Sequence, residues 1–384
     1  MKQNKGYKYR AYPTKTQQKM FAKTFGCTRF IYNRMLGDKI DYYADCNETL
    51  HITPAAYKDE FEWLKEVDAH ALTNAQMDLQ TAYKNFFENP DKFGFPKFKA
   101  KRNKQKYKTS VCNNNIRIEG NRLKLPKVGM VKIVIDREIP KNQRLKSVTV
   151  TQTSSGKYFV SILTEWEEDI KEVELNNFLG LDFSMADLYI DNNGDKPNAI
   201  KYYKKYQNKL AREQRKFSKM KKGGNNYHKQ RIKVAKIYEK IANSRNDFLH
   251  KLSTQITNEY DCICIEDLDL KEISQHLNFG KSVHDNSWAN FVNMLDYKLK
   301  KQGKKLVKVD RYFPSSKTCS NCGAIKDMSL ELRIYDCSCG LSLDRDVNAA
   351  INILNEGKRI VGTTRLAREC CDKKSLERET VSFR

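Results

Sequence analysis

Three carboxylates stand where a buried site would need them. Asp182 ends the apolar run Phe178-Leu-Gly-Leu181, Glu266 ends Asp261-Cys-Ile-Cys-Ile265, and Asp346 falls in the first turn of a predicted helix that begins near Asp344. A carboxylate at a buried strand end is unfavourable unless a cation compensates it, whereas a helix N-terminus favours negative charge. Three such acids, brought together, would hold divalent metal. Mg²⁺ prefers oxygen ligands and keeps waters, and two such ions about 3.5–4 Å apart activate water and stabilise the leaving oxygen in phosphodiester hydrolysis. Each acid alone also fits a cap or a surface role; their context and order argue for a shared site.

The second chemical signal is a thiol cluster. Cys319-Ser-Asn-Cys322 is followed by fourteen residues, Gly323 to Asp336, and then by Cys337-Ser-Cys339. Four thiolates in two close pairs suit a tetrahedral structural Zn²⁺. The second pair is C-x-C where C-x-x-C is usual, so it strains the site, lowers its affinity, or lets the Asp336 carboxylate replace a thiol. The alternative is a plain turn with free thiols. The eleven cysteines are unevenly spread along the chain, which fits a metal site in a reducing cytosol better than a disulfide framework.

The remainder of the 384-residue chain is strongly basic, with 71 Lys and Arg against 47 Asp and Glu and a formal charge of +24. Such a surface attracts phosphate backbones, and 20 Tyr and 18 Phe interleaved with the cations would supply stacking platforms for unpaired bases. The mean hydropathy of −0.75 and the lack of any apolar run of about 18 residues argue against a membrane protein. The N-terminus lacks the apolar core of a secretion signal. The chain is therefore expected in the cytoplasm, and at the nucleoid when bound to DNA. Between Lys201 and Lys240 there are fifteen Lys or Arg and two Glu; like charges at helical spacing repel unless an anion neutralises them. Lys204, Lys205, Arg212, Arg215 and the later Arg245 are candidate phosphate contacts. Lys101 and Arg102, within the basic stretch from Lys97 to Lys108, are others, although a solvated linker fits that stretch equally.

The elements that would position these groups are legible in outline. Thr14-Lys-Thr-Gln17 reads as a capping box, followed by a helical stripe of Met20, Phe21, Phe25, Ile31 and Met35. A second helix is expected from Leu72 to Phe87, with Leu72, Met77, Leu79, Tyr83 and Phe87 as its buried stripe, ended by Asn89-Pro90. Alternating strands follow at Leu123–Leu125, Val131–Ile135, Val148–Thr151 and Tyr158–Ile162, and Tyr7–Tyr12 alternates too. That makes a small β domain, split by helices over residues 15–96. Beyond an acidic linker come two strands, Phe178–Phe183 and Asp187–Asp191, then helices over about Tyr202–Met220 and His228–Thr257. The latter pair through Val234, Ile237, Ile241, Phe248 and Leu252. A central strand ends at Glu266. A helix with Trp288, Phe291, Leu295 and Leu299, a strand at Leu306–Val309, and a helix over Asp344–Glu356 complete the pattern, and the charged residues after Cys371 read as a flexible tail.

Taken together, several segments resemble the OrfB/TnpB family of insertion-sequence proteins, RNA-guided nucleases related to compact type V CRISPR effectors. They are Gly180-Leu-Asp182, Cys264-Ile-Glu266-Asp-Leu268, Phe313-Pro-Ser-Ser-Lys-Thr-Cys319-Ser-Asn-Cys322-Gly323 and Asp344-Arg-Asp346-Val-Asn-Ala-Ala350-Ile-Asn352-Ile353. Tyr83-Lys-Asn-Phe-Phe87, Gly94-Phe-Pro-Lys-Phe98 and Asn243-Ser-Arg245-Asn-Asp-Phe-Leu-His-Lys-Leu252 match as well. The resemblance covers nearly the whole chain, in family order.

The resemblance implies a multidomain α+β protein. An oligonucleotide-binding-like β-barrel would occupy residues 1–14 and 97–168, split by a helical recognition insert over 15–96. A RuvC-like nuclease domain of the RNase H fold would occupy 177–314 and 340–370, interrupted by a zinc ribbon over 315–339, with 371–384 as the tail. Asp182, Glu266 and Asp346 would be the catalytic triad holding Mg²⁺; either acid of Asp344-Arg-Asp346 could serve, but Asp346 matches the family position and Asp344 fits a helix cap. Cys319, Cys322, Cys337 and Cys339 would hold Zn²⁺. The partners would be a guide RNA from the transposon end and double-stranded target DNA, with a separate transposase encoded nearby. Base pairing would carry sequence while the protein reads a short flanking motif, for which Thr73, Asn74 and the Ser110–Asn115 stretch, Asn113 included, are candidates. The implied function is RNA-guided DNA cleavage; an RNA-guided repressor without cleavage and a small type V CRISPR effector are the alternatives. A repressor of this kind would be expected to lose an acid, and this chain retains all three. Nothing resembles the His-Tyr site of a strand-transferring transposase.

Overall fold

The computed structural model describes residues 1–102, 104–197, 201–270, 272, 287–329 and 332–381, with the side chains of the last helix described to residue 363. The chain divides into two compact units, Met1–Asp169 with Arg231–Lys236, and Ile170–Gln230 with Ile237–Arg384.

In the first unit, alternation builds the sheet. Strand β1 (Lys2–Tyr12) turns Tyr7, Tyr9 and Ala11 inward and Lys2 and Lys8 outward, as the two-residue period of a strand requires. It pairs antiparallel with β7 (Tyr158–Glu167) over most of its length and with β5 (Gly129–Val134) near its end. With β2 (Gln105–Ser110), β3 (Arg117–Glu119), β4 (Arg122–Leu125) and β6 (Arg144–Gln152), the order is β2-β6-β7-β1-β5-β4-β3, a sheet curled as a half-barrel. Among the described residues no ladder joins β2 to β3, so the split barrel is an open one. Its concave core includes Leu123, Val131, Ile133, Val148, Val150, Val160 and Ile162.

The helical insert lies between β1 and β2. Helix α1 (Lys15–Cys46) starts with the Thr14–Gln17 capping box, both reciprocal bonds being present. A short α2 (Tyr57–Glu60) and a 3₁₀ turn lead to α3 (Ala69–Glu88), capped by Asp68. Ile31, Met35, Leu36, Leu64, Leu72 and Leu79 form the apolar seam. Two expected members of the α3 stripe face solvent instead: Met77 is 53% exposed and Phe87 72%. Ala71, Asn74 and Ala75 take the buried face with Leu72 and Leu79, because small residues allow close approach.

In the second unit, β8 (Phe178–Ser184) and β9 (Leu188–Asp191) form an antiparallel hairpin. After α4 (Tyr202–Ser218) and α5 (Asn225–Glu259) the chain returns as β10 (Cys262–Glu266), parallel to β8. After α6 (Trp288–Lys301) it forms β11 (Lys305–Val309), parallel to β10. Parallel pairing needs long crossovers, which the helices supply. The order is β11-β10-β8-β9. Leu179, Leu181, Ile263 and Ile265 pack with Leu249, Ile256, Phe291, Leu295 and Leu299 on one face. On the other, Phe178, Cys262, Cys264 and Val309 pack with Ile353 of the terminal helix α7 (Arg345–Val381). Helices α4 and α5 meet through polar contacts, Gln230 Nε2 donating to the Glu213 carboxylate at 2.7 Å and Gln214 Nε2 to the Tyr238 hydroxyl at 2.7 Å; of the expected apolar stripe, Phe248 and Leu252 pack against the sheet core instead. Helix α7 runs beyond Glu356 through most of the expected tail, with no Gly or Pro after Gly362 to stop it; residues 382–384 lie outside the described residues.

Candidate active site

Register brings two of the three acids side by side. Leu181 of β8 is opposite Ile265 of β10, so Asp182 and Glu266 come next on neighbouring parallel strands, about 4.8 Å apart in the pairing direction. The two-residue period turns both toward the face that holds Phe178, Cys262 and Cys264, the face covered by α7. Asp346 enters from the first turn of that helix. Asp344, at the end of β13 (Ser342–Asp344), accepts the backbone N–H groups of Asp346 at 2.9 Å and Val347 at 3.3 Å. It therefore caps the helix whose first turn carries Asp346.

The acids sense one another. Burial, then the charges of Asp346 and Glu266, push the Asp182 carboxyl from 3.8 up to about 8, against the pull of the Phe183 N–H and Arg345. Burial raises Glu266 from 4.5 to about 7. The ion pair recorded for Asp346 is a long one, 3.8 Å to Arg333. An all-oxygen donor set with raised carboxyls fits divalent cations, whose charge would relieve the repulsion. Among the described residues, only the thiol cluster has its ligand atoms all within 4.8 Å of one another. Asp182, Glu266 and Asp346 do not form such a group.

The four cysteines converge. Cys319 Sγ lies 3.6 Å from Cys339 Sγ, and Cys322 Sγ 3.6 Å from Cys337 Sγ. A tetrahedral ion with Zn–S bonds of about 2.3 Å sets sulfurs about 3.8 Å apart, so the C-x-C pair closes the site without help. Asp336 is engaged elsewhere, accepting the Ser342 hydroxyl at 2.5 Å. The Asn321 amide and the Leu341 N–H draw the Cys339 thiol down to about 6, toward the thiolate that metals bind. Cys337 and Cys339 sit in the turn between β12 (Ile334–Asp336) and β13.

The candidate nucleic-acid contacts are more scattered. Lys204, Lys205, Arg212 and Arg215 lie on α4, and Arg245 is half-buried on α5. Lys101, Arg102 and Asn113 are exposed, Asn113 in a turn at φ 47°. The Thr73 hydroxyl is exposed but donates to Ala69 O at 3.2 Å. Asn74 is 5% exposed, and its amide donates to His70 O at 2.7 Å and Ser110 Oγ at 3.1 Å. That amide braces α3 against β2, and both of its donor bonds are used. Sequence reasoning passed over Asn348 and Asn352, which are buried on α7 and bonded to the backbone of the first cysteine turn. Their i, i+4 spacing was the available signal.

Comparisons with known proteins agree with this architecture. Residues 161–276 match the OrfB_IS605 family, described as "Probable transposase", and residues 288–353 match a "Cas12f1-like, TNB domain". Residues 1–48 match a family described as "Helix-turn-helix domain", although here that stretch is β1 and the continuous helix α1. A "Putative RNA-guided DNA endonuclease" of Streptomyces pristinaespiralis is 33% identical over 362 residues, covering 92% of this chain and 89% of the relative. InsQ of Escherichia coli (strain K12), described in the same words, is 29% identical over 387 residues, 94% of each chain. The fold is similar to that in a cryo-EM structure of the Cas12f1-sgRNA-target DNA complex, with a TM-score of 0.57 at 13% identity, covering 92% of this chain and 98% of that one. The chain belongs to the OrfB/TnpB family of RNA-guided nucleases.

Proposed function

We propose that this protein is a transposon-encoded, RNA-guided DNA endonuclease that cuts target DNA beside a short flanking motif. The observation that carries the reading is the Asp182 carboxyl, raised by burial and by the charges of both Asp346 and Glu266. Acids from three elements distant in sequence thus influence one another electrostatically, which supports a shared site on a chain of charge +24. Asp182, Glu266 and Asp346 would hold Mg²⁺. Bound there, such ions would supply a water of lowered pKa and offset charge on the scissile phosphate.

The chain's own residues do the rest. The strands hold Asp182 and Glu266 in register, and the Asp344 cap keeps wound the first turn of α7, which carries Asp346. The basic helices α4 and α5 suit RNA or heteroduplex phosphates, and the guide's base pairing carries the sequence. Cys319, Cys322, Cys337 and Cys339 would hold Zn²⁺ as a structural ion. The partners are a guide RNA from the transposon end and double-stranded DNA. No helix among the described residues is long and apolar enough to cross a membrane, consistent with work in the cytoplasm on the nucleoid.

Sequencing the RNA that co-purifies with the protein from its own host tests the reading. A discrete RNA running through the transposon end into flanking sequence is expected. Protein free of RNA, or carrying only bulk cellular RNA, would overturn it.

A further inference from the structure

Asparagines are costly to bury unless each amide finds its partners. Two of them lie on the inner side of α7, just past Asp346. Asn348 is 0% exposed and Asn352 5%. Asn352 Nδ2 donates to the carbonyl oxygens of Ser315 at 2.7 Å and Thr318 at 2.6 Å. Asn348 Nδ2 donates to Thr318 O at 2.7 Å, and its Oδ1 accepts the Ser320 N–H at 2.9 Å. All four bonds go to the backbone around Cys319. An apolar residue would fill the same space, but it would take these bonds away from the Thr318 carbonyl and the Ser320 N–H. The two amides therefore fasten the first cysteine turn to the helix.

The second cysteine turn reaches the same helix by the covalent chain. Cys337 and Cys339 lead through β13 to Asp344, which caps α7. Next to the cap, the Arg345 N–H donates to Arg333 O at 2.8 Å, and its guanidinium donates to Ser329 O at 3.1 Å. One turn is thus hydrogen-bonded to α7 behind Asp346, and the other is continuous with the residues in front of it. An ion on the four sulfurs would close that loop and clamp the first helical turn from both sides.

We propose that Asn348 and Asn352 are positioning residues that couple occupancy of the four-thiol site to the placement of Asp346, and so to the affinity of the carboxylate site for divalent metal. The proposal rests on the reading that Asp182, Glu266 and Asp346 hold such a metal. With the thiol site filled, Asp346 is pre-placed and binding needs little reordering. With it empty, or with the amides removed, the first turn of α7 gains freedom that metal binding must then remove. Outer residues that orient a metal ligand typically change affinity by about 10- to 100-fold.

The test uses the full chain with its co-purified RNA and follows Mn²⁺ binding by electron paramagnetic resonance. Binding that disappears in Asp182→Ala defines the carboxylate site. Asn352→Ala, with Asn348→Ala as the second variant should the first fail to fold, is expected to weaken that binding by about tenfold while zinc stays near one per chain. Cys339→Ser is expected to weaken it similarly in the wild-type background but to add little once the asparagine is gone. Unchanged Mn²⁺ affinity in the folded asparagine variants, or losses from the Cys and Asn substitutions that simply multiply, would overturn the coupling while leaving the carboxylate site standing. A wild-type complex with no Asp182-dependent Mn²⁺ would remove the site and the coupling together.

Discussion

Gly180 on β8 and Ala350 on α7 meet backbone to backbone. A Cβ on Gly180 would lie 2.7 Å from Leu354 Cβ and closer still to the Ala350 carbonyl oxygen. Hydrogen is all the space admits, and this approach sets how near the helix that carries Asp346 comes to the strand that carries Asp182. Gly180→Ala must push α7 off the sheet. Overpacking of this kind costs about 1–3 kcal/mol, and a displacement of about 1 Å at a catalytic group costs about a hundredfold in rate. The expected result is a folded protein with a lower Tm and cleavage reduced by about that factor, read by thermal unfolding and by plasmid cleavage.

The raised carboxyls make metal-free stability depend on pH. Asp182 and Glu266 titrate near 8 and 7 in the folded protein, against ordinary values of 3.8 and 4.5. The folded state therefore holds these protons more tightly than the unfolded chain. Their contribution is intact below about pH 4, falls as pH rises, and is fully lost above about pH 8. In EDTA at pH 8, Asp182→Asn is expected to be more stable than the wild type by about 2 kcal/mol or more, with the gap shrinking as pH falls toward 4. Added Mg²⁺ should raise the wild-type Tm and leave the variant's nearly unchanged. Thermal melts across pH, with and without Mg²⁺, check this.

The thiol site should be full in protein purified without chelator. One zinc per chain is expected by elemental analysis, falling toward zero in Cys339→Ser. Removing a structural zinc unties folding energy along with the ion, so the variant should also unfold at a lower temperature.

The α4 cations lie on the helix surface, and their removal should leave the fold intact. Replacing Lys204, Lys205, Arg212 and Arg215 by Gln is expected to weaken RNA binding. The slope of log affinity against log salt should flatten by about 0.7–0.9 for each phosphate that no longer meets a cation. Filter binding across a salt series, beside a melt of the variant, separates weaker phosphate binding from unfolding.

What could be read before the structure was local. The strand carrying Asp182, the strand ending in Glu266, the Thr14 capping box and the α6 stripe of Trp288, Phe291, Leu295 and Leu299 all rest on short-range patterns, and each forms as expected. The inner stripe of α3 was misread at Met77 and Phe87, because apolar character alone does not say which of two helix faces meets a partner. In the sequence, Asn74 reads as a candidate contact to DNA, and Asn348 and Asn352 stand only as members of a family segment. The i, i+4 spacing of Asn348 and Asn352 marks a shared helix face but not their partners, and the chain supplies the partners of all three from as far as 37 residues away. Gly180 carried a motif but not its reason, which is the distance to Ala350, 170 residues further along. Strand identity is written in neighbouring residues; close approach and amide pairing are set by the packed chain.

The most direct measurement is cleavage of a plasmid carrying the matched target and its flanking motif, by the RNA-bound protein in Mg²⁺. The wild type is expected to cut, while Asp182→Ala and Glu266→Ala bind the same DNA without cutting it. Cutting that persists in both variants would contradict the assignment of these carboxylates to the reaction.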